Sequence, residues 1–205
     1  MPNWCANSLK LVAKTAESEK KLAEIVQELA RAQQANESAS IFALIKPIPK
    51  ALNITSGWLG KDTPEQKALE LAQQENLKNY GYKDWYDFCI AEWGTKWDAR
   101  TSDLDEPYMI EGNAVTIYFD TAWSPPMQIY YALEDMGFEV EACYVESGVG
   151  FLGHYTNGVD TCKDMEEVRP DVDDEDDDYF GILSDNIDSF FSKAGFDHSP
   201  ANYGG

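Results

Sequence analysis

The junction Phe119-Asp120-Thr121-Ala122-Trp123-Ser124-Pro125-Pro126 most constrains what this chain can fold into. Val115, Ile117 and Phe119 alternate with Thr116 and Tyr118, the period-two pattern of a half-buried strand. The two prolines forbid further pairing, and Ser124 followed by Pro125 reads as an N-cap and helix start running to about Met136. A strand must therefore hand over to a helix at a tryptophan. A second junction, Glu92-Trp93-Gly94-Thr95-Lys96-Trp97-Asp98-Ala99-Arg100, lies upstream. There, Trp85, Phe88, Cys89 and Trp93 follow helical spacing after a capping Asp84, and Gly94 suits the C′ position. Trp97 falls beyond that stop.

The remaining elements follow from periodicity. Cys5 to Ala13 reads as a first strand. Thr15 caps a helix to about Gln34, whose Leu22, Ile25, Val26 and Leu29 form one stripe. The apolar run Ile41 to Ile45 ends at Lys46-Pro47-Ile48-Pro49, which excludes a central strand there. Thr63-Pro64-Glu65-Gln66 starts a helix with a weak apolar face, so residues 50–83 read as a peripheral helical insertion. Glu111-Gly112-Asn113 turns a hairpin into the Val115 strand. Phe138–Glu146 and Phe151–Tyr155 are further strands, and Asn157-Gly158 is another turn signal. The expectation is an α+β chain: an antiparallel sheet with helices on one face, the insertion, and an acidic C-terminal extension.

The two tryptophan junctions, with the opening Met1-Pro2-Asn3-Trp4-Cys5-Ala6-Asn7, resemble the YubB-type ferredoxin-like family, carried by bacteriophages and conjugative plasmids. The resemblance spans roughly the first three quarters of the chain. It implies a ferredoxin-like domain over residues 1–162 and a mobile-element setting, and no defined activity. Residues 163–205, an acidic tract and an amphipathic helix at about Phe180–Lys193, lie outside it.

Charge narrows the function classes. Thirty-seven acids against 16 bases give a formal net charge of −21. Such a surface repels nucleic acid and anionic membranes and attracts basic proteins. Twelve acids and one base fall between Asp164 and Asp188, so about half of the imbalance sits in one tract. The opening residues lack the pattern of a secretory signal, and no apolar run is long enough to span a bilayer. The four cysteines, Cys5, Cys89, Cys143 and Cys162, match no zinc spacing. A cytoplasmic setting with reduced thiols is expected.

Three groups of residues are candidates for chemistry. The first is the aromatic set Trp4, Trp93, Trp97 and Trp123 with Lys96, Asp98, Arg100 and Asp120 nearby in sequence. It reads either as a stacking pocket for a flat or anionic ligand, or as packing at the core's rim. The second is catalytic. His154 lies in a strand, His198 in a terminus expected to be flexible, and no nucleophile or phosphate-loop signature accompanies either. The pair Asp98 and Asp120 could act as acid and base or hold Mg²⁺, but carboxylate pairs arise readily in so acidic a chain. No catalytic residue, cofactor or metal is therefore assigned. Asp174, Asp176 and Asp178 have calcium-loop spacing, but Tyr179 stands where glycine is needed. The third group is the run Asp171, Asp173, Asp174, Glu175, Asp176, Asp177 and Asp178, either a solvated linker or a polyanion that competes with nucleic acid for a basic groove. The functional expectation is a non-enzymatic protein that blocks a basic, nucleic-acid-handling or defence protein of the host by charge mimicry. The alternative is a small-molecule or nucleotide-binding domain, perhaps hydrolytic, that uses the Trp-rich site.

Overall fold

A computed structural model describes residues 2–102, 104, 106–171 and 179–200, with the backbone alone for Tyr179 and Phe180. The central strand is β1, Trp4–Ala13. It pairs antiparallel with β3, Ala114–Ala122, on one side and with β4, Phe138–Glu146, on the other. Addition of β2, Tyr108–Glu111, β5, Phe151–Thr156, and β6, Val159–Asp164, gives an antiparallel sheet ordered β2-β3-β1-β4-β5-β6. The α+β class expected from the sequence is what the chain adopts. Asn157 and Gly158, both at positive φ, form the two-residue turn between β5 and β6.

Register decides which side chains share a layer. Leu9 lies opposite both Ile117 and Ala142, and Leu11 opposite Val115 and Val140. All six are fully buried on the first face. Helix α1, Ala16–Ala35, covers them with Ile25, Leu29 and Ala32. Its start is fixed by Thr15 and Ser18, whose side chains bond each other's backbone N–H. The run Ile41–Ile45 forms a short helix, α2, with Phe42 in the same core. Helix α3, Pro64–Tyr80, lies at the periphery, burying Leu69 while Leu71 and Leu77 stay exposed. Asn76 ties it down, donating to the carbonyls of Ala51 and Lys83. Helix α4, Trp85–Glu92, is capped by Asp84, which accepts from the backbone N–H of Tyr86.

Three expectations need correction. Helix α5 spans Met127–Asp135, not Pro125–Met136, and Ser124 does not cap it. Pro126 disfavours helical backbone at the preceding Pro125, so the first turn forms only after both prolines. Ser124 Oγ instead donates to the Gly94 carbonyl at 2.9 Å.

The helices do not all lie on one face. Cys143 and Val145 alternate with the core-facing residues of β4 and therefore point to the second face. Helix α6, Tyr179–Lys193, covers that face, packing Ile187 and Phe191 with Cys143, Val145, Leu152 and Met165. The apolar stripe of the terminal helix thus needs no second subunit to cover it.

The segment after α6 is also docked. Phe196, His198 and Pro200 are buried, and Ser8 Oγ lies 2.7 Å from His198 Nδ1. The terminus expected to be flexible from Ser199 is packed through Pro200; residues 201–205 lie outside the described residues. Among the described residues, no helix is long and apolar enough to cross a membrane.

Candidate binding site: an aromatic cluster around Lys96

The site is built where the two tryptophan junctions meet. Gly94 has φ +81°, and a Cβ there would press on the Met127 backbone N–H at 3.2 Å, so only glycine lets this turn lie against the start of α5. Ser124 holds the Gly94 carbonyl, and Thr95 Oγ1 donates to the Ala122 carbonyl at 3.0 Å. These two bonds fix the Gly-Thr-Lys turn to the end of β3, and residues 96 and 97 are thereby set beside Trp123.

Three tryptophans come together in consequence. The rings of Trp97 and Trp123 are stacked at 22° with centroids 6.3 Å apart, and the Trp4 ring lies 6.1 Å from that of Trp97, tilted by 35°. Trp97 and Trp123 are 39% and 43% exposed, which leaves much large aromatic surface in solvent. Cations accompany them. Lys96 Nζ stands 4.4 Å from the Trp97 ring centroid and 5.7 Å from those of Tyr86 and Trp123. The Arg100 guanidinium lies 4.7 Å over Trp4. Trp123 has φ +68°, a left-handed conformation that is an outlier for a bulky side chain and costs of order 1–3 kcal/mol. Its N–H donates to the Asn3 carbonyl at 3.0 Å, which helps hold it there.

Two of the candidate residues stand elsewhere. Trp93 is 3% exposed, packs edge-on to Phe42 and Phe88, and donates its indole N–H to the Lys46 carbonyl. Asp98 accepts the backbone N–H groups of Phe42, Ala43 and Ala99, fastening this loop to the start of α2. Burial pushes its carboxyl up to about 6, against the lowering effect of those three donors. Asp120 sits at the edge of the cluster. It pairs with Ala6 in β1, and its backbone exchanges two hydrogen bonds with Arg100. The structure therefore gathers Trp4, Lys96, Trp97 and Trp123 with Arg100 and Asp120 alongside, and places Trp93 and Asp98 in supporting roles. Of the acid run, Asp171 is exposed; Asp173, Asp174, Glu175, Asp176, Asp177 and Asp178 lie outside the described residues.

No family model matches the chain, and no curated protein matches it. The crystal structure of a protein api92 from Yersinia pseudotuberculosis, of the family DUF1281, aligns with 80% of this chain and 98% of its own, with a TM-score of 0.38 and 12% identity. A likeness at that level supports no conclusion about this chain.

Sequence reasoning missed Tyr86. It stands one residue after Trp85, on a helix where Trp85, Phe88 and Cys89 already accounted for the apolar face. No local signal separates a ring that packs from a ring that faces Lys96. His198 was missed for a similar reason, since nothing near it in sequence announces that Ser8, 190 positions away, will meet it. Its Nε2 is buried without a hydrogen-bond partner, and burial pushes the imidazole down to about 4. Burial likewise lowers His154, whose ring lies against Phe190 and Phe196. Cys89 is raised to about 12, and Cys5 and Cys143 are raised as well, chiefly by burial. These groups belong to packed layers and are poorly placed to exchange protons with a substrate.

Proposed function

We propose that this protein is a non-enzymatic acidic binding protein of a phage or plasmid. In this reading it engages a basic, nucleic-acid-handling or defence protein in the cytoplasm of its host and blocks it by presenting nucleic-acid-like negative charge. The observation that carries this reading is the excess of 37 acids over 16 bases. Much of the little positive charge is already matched: Lys10, Lys14, Lys21, Lys46 and Lys163 each lie against a carboxylate. What remains is a surplus of acids that draws in basic surfaces and disfavours direct contact with phosphates. The mobile-element setting follows from the resemblance carried by the two tryptophan junctions and the opening residues.

A second reading, a small-molecule or nucleotide site, is favoured by the exposed Trp97 and Trp123 rings and the half-buried Trp4 beside two cations. It ranks below the first because the net charge of −21 repels a phosphate-bearing ligand.

The test is capture. The immobilised protein is exposed to host extract, retained proteins are identified by mass spectrometry, and duplex DNA is then added. A basic nucleic-acid-binding protein should be retained and released by DNA. A retained set no more basic than the extract, or one indifferent to DNA, contradicts the reading.

A further inference from the structure

The position of Lys96 is unusual for so acidic a protein. Where Lys10, Lys14, Lys21, Lys46 and Lys163 hold carboxylates, its ammonium lies within about 6 Å of the ring centroids of Tyr86, Trp97 and Trp123. Ring faces carry negative quadrupole charge, and several of them converging on one point form a receptor for an alkylammonium group. The geometry around this point is held by more than chance packing. The Gly94 turn is locked to β3 by Ser124 and Thr95, and Trp123 is kept in a left-handed conformation that presents its ring beside Trp97. Both tryptophans remain well exposed, so the cage opens to solvent.

We propose that the Tyr86–Trp97–Trp123 cage receives a lysine side chain of the basic partner, and that Lys96 is a resident occupant displaced when the partner binds. The inference rests on the reading of the protein as a binder of basic proteins, and it assigns that contact a place. Exchange of one ammonium for another leaves the charge of the site unchanged, so the exchange itself costs little. The released Lys96 gains water and side-chain freedom, and the incoming lysine brings with it a basic surface that the acidic body attracts. Lys96 therefore acts as a competitor that lowers the cage's apparent affinity, and its removal should raise that affinity. Exposed aromatic side chains preorganised in this way are also the kind of anchor on which interfaces concentrate their binding energy.

The probe is tetramethylammonium chloride, titrated against sodium chloride at matched ionic strength and followed by the indole N–H signals of Trp97 and Trp123. Saturable shifts of both signals should appear in the wild type. In Lys96→Met the affinity should be about 3- to 10-fold tighter, the range a partly exposed cation–π contact supplies. Trp97→Ala should abolish the response, and Trp123→Gly provides a second variant should the first fold poorly. Adenosine monophosphate serves as the opposing probe. An absence of saturable shifts in Lys96→Met overturns the cage, as does nucleotide binding that disappears in that variant. The captured partner distinguishes the two levels of the account. A partner that binds Trp97→Ala and Trp123→Gly as tightly as wild type overturns the lysine contact and leaves charge-driven binding standing. A cage that takes tetramethylammonium while no basic partner is retained contradicts the proposed function instead.

Discussion

The carboxylate of Asp98 accepts the backbone N–H of Phe42 at 2.7 Å, joining residues 56 positions apart in the chain. Through this bond and those to Ala43 and Ala99, the loop that carries Lys96 and Trp97 is anchored to the start of α2. Phe42 and Ala99 are buried, so removal of the acceptor leaves amides without solvent to turn to. Asp98→Ala should therefore cost about 1–3 kcal/mol, read as a lowered denaturant midpoint, with Asp98→Asn losing less. An unchanged midpoint in Asp98→Ala would mean the loop is held in some other way.

The tryptophans should separate into two classes. Trp93→Ala removes a buried ring and should cost about 3–5 kcal/mol. Trp97→Ala removes an exposed one and should cost about 1 kcal/mol or less. Trp123→Gly should be close to neutral in stability, because relief of the left-handed backbone offsets the lost ring contacts. Melting curves of the three variants decide. Equal losses for Trp93 and Trp97 would make the exposed cluster a piece of the core.

The docked end of the chain should be acid-sensitive. His198 is buried among Ser8, Lys10, Glu141 and Asp197, and its imidazole is pushed down to about 4 from an ordinary value near 6.5. A depressed histidine keeps its full contribution above the unfolded value and loses it as pH falls toward the folded one. Docking should thus weaken progressively between about pH 6.5 and 4, by roughly 3 kcal/mol in all. The slope of melting midpoint against pH across that window should flatten in His198→Gln. Equal slopes in the two proteins would remove His198 from the acid response.

Local signals made much of the fold legible, and long-range packing supplied what they could not. The Thr15, Thr63 and Asp84 caps, the Asn157-Gly158 turn and the alternation in β3 each act over a few residues, and each appears where its chemistry requires. The start of α5 was misread because Ser124 and Pro125 look like a cap and first turn until the second proline is considered. The second layer was hidden because β1 and β4 bury both faces, which blurs the period-two pattern that marks a one-sided strand. In the candidate site, the convergence of Trp4, Lys96, Trp97 and Trp123 was legible from the clustering of tryptophans at two junctions. The separation of Trp93 and Asp98 from it was not. Trp93 and Trp97 are four residues apart, but the turn at Gly94 sends one ring into the core and the other to the surface.

The central claim, that surplus negative charge drives binding to a basic partner, is tested most directly by the salt dependence of that binding. Asp171, Asp173, Asp174, Glu175, Asp176, Asp177 and Asp178 are replaced by Asn and Gln, and affinity for the captured partner is measured at two ionic strengths with duplex DNA as competitor. The account predicts an intact fold, since neutralisation relieves self-repulsion, together with weaker binding and a flatter salt dependence than wild type. Equal affinity for the two proteins, or binding indifferent to DNA, would contradict it.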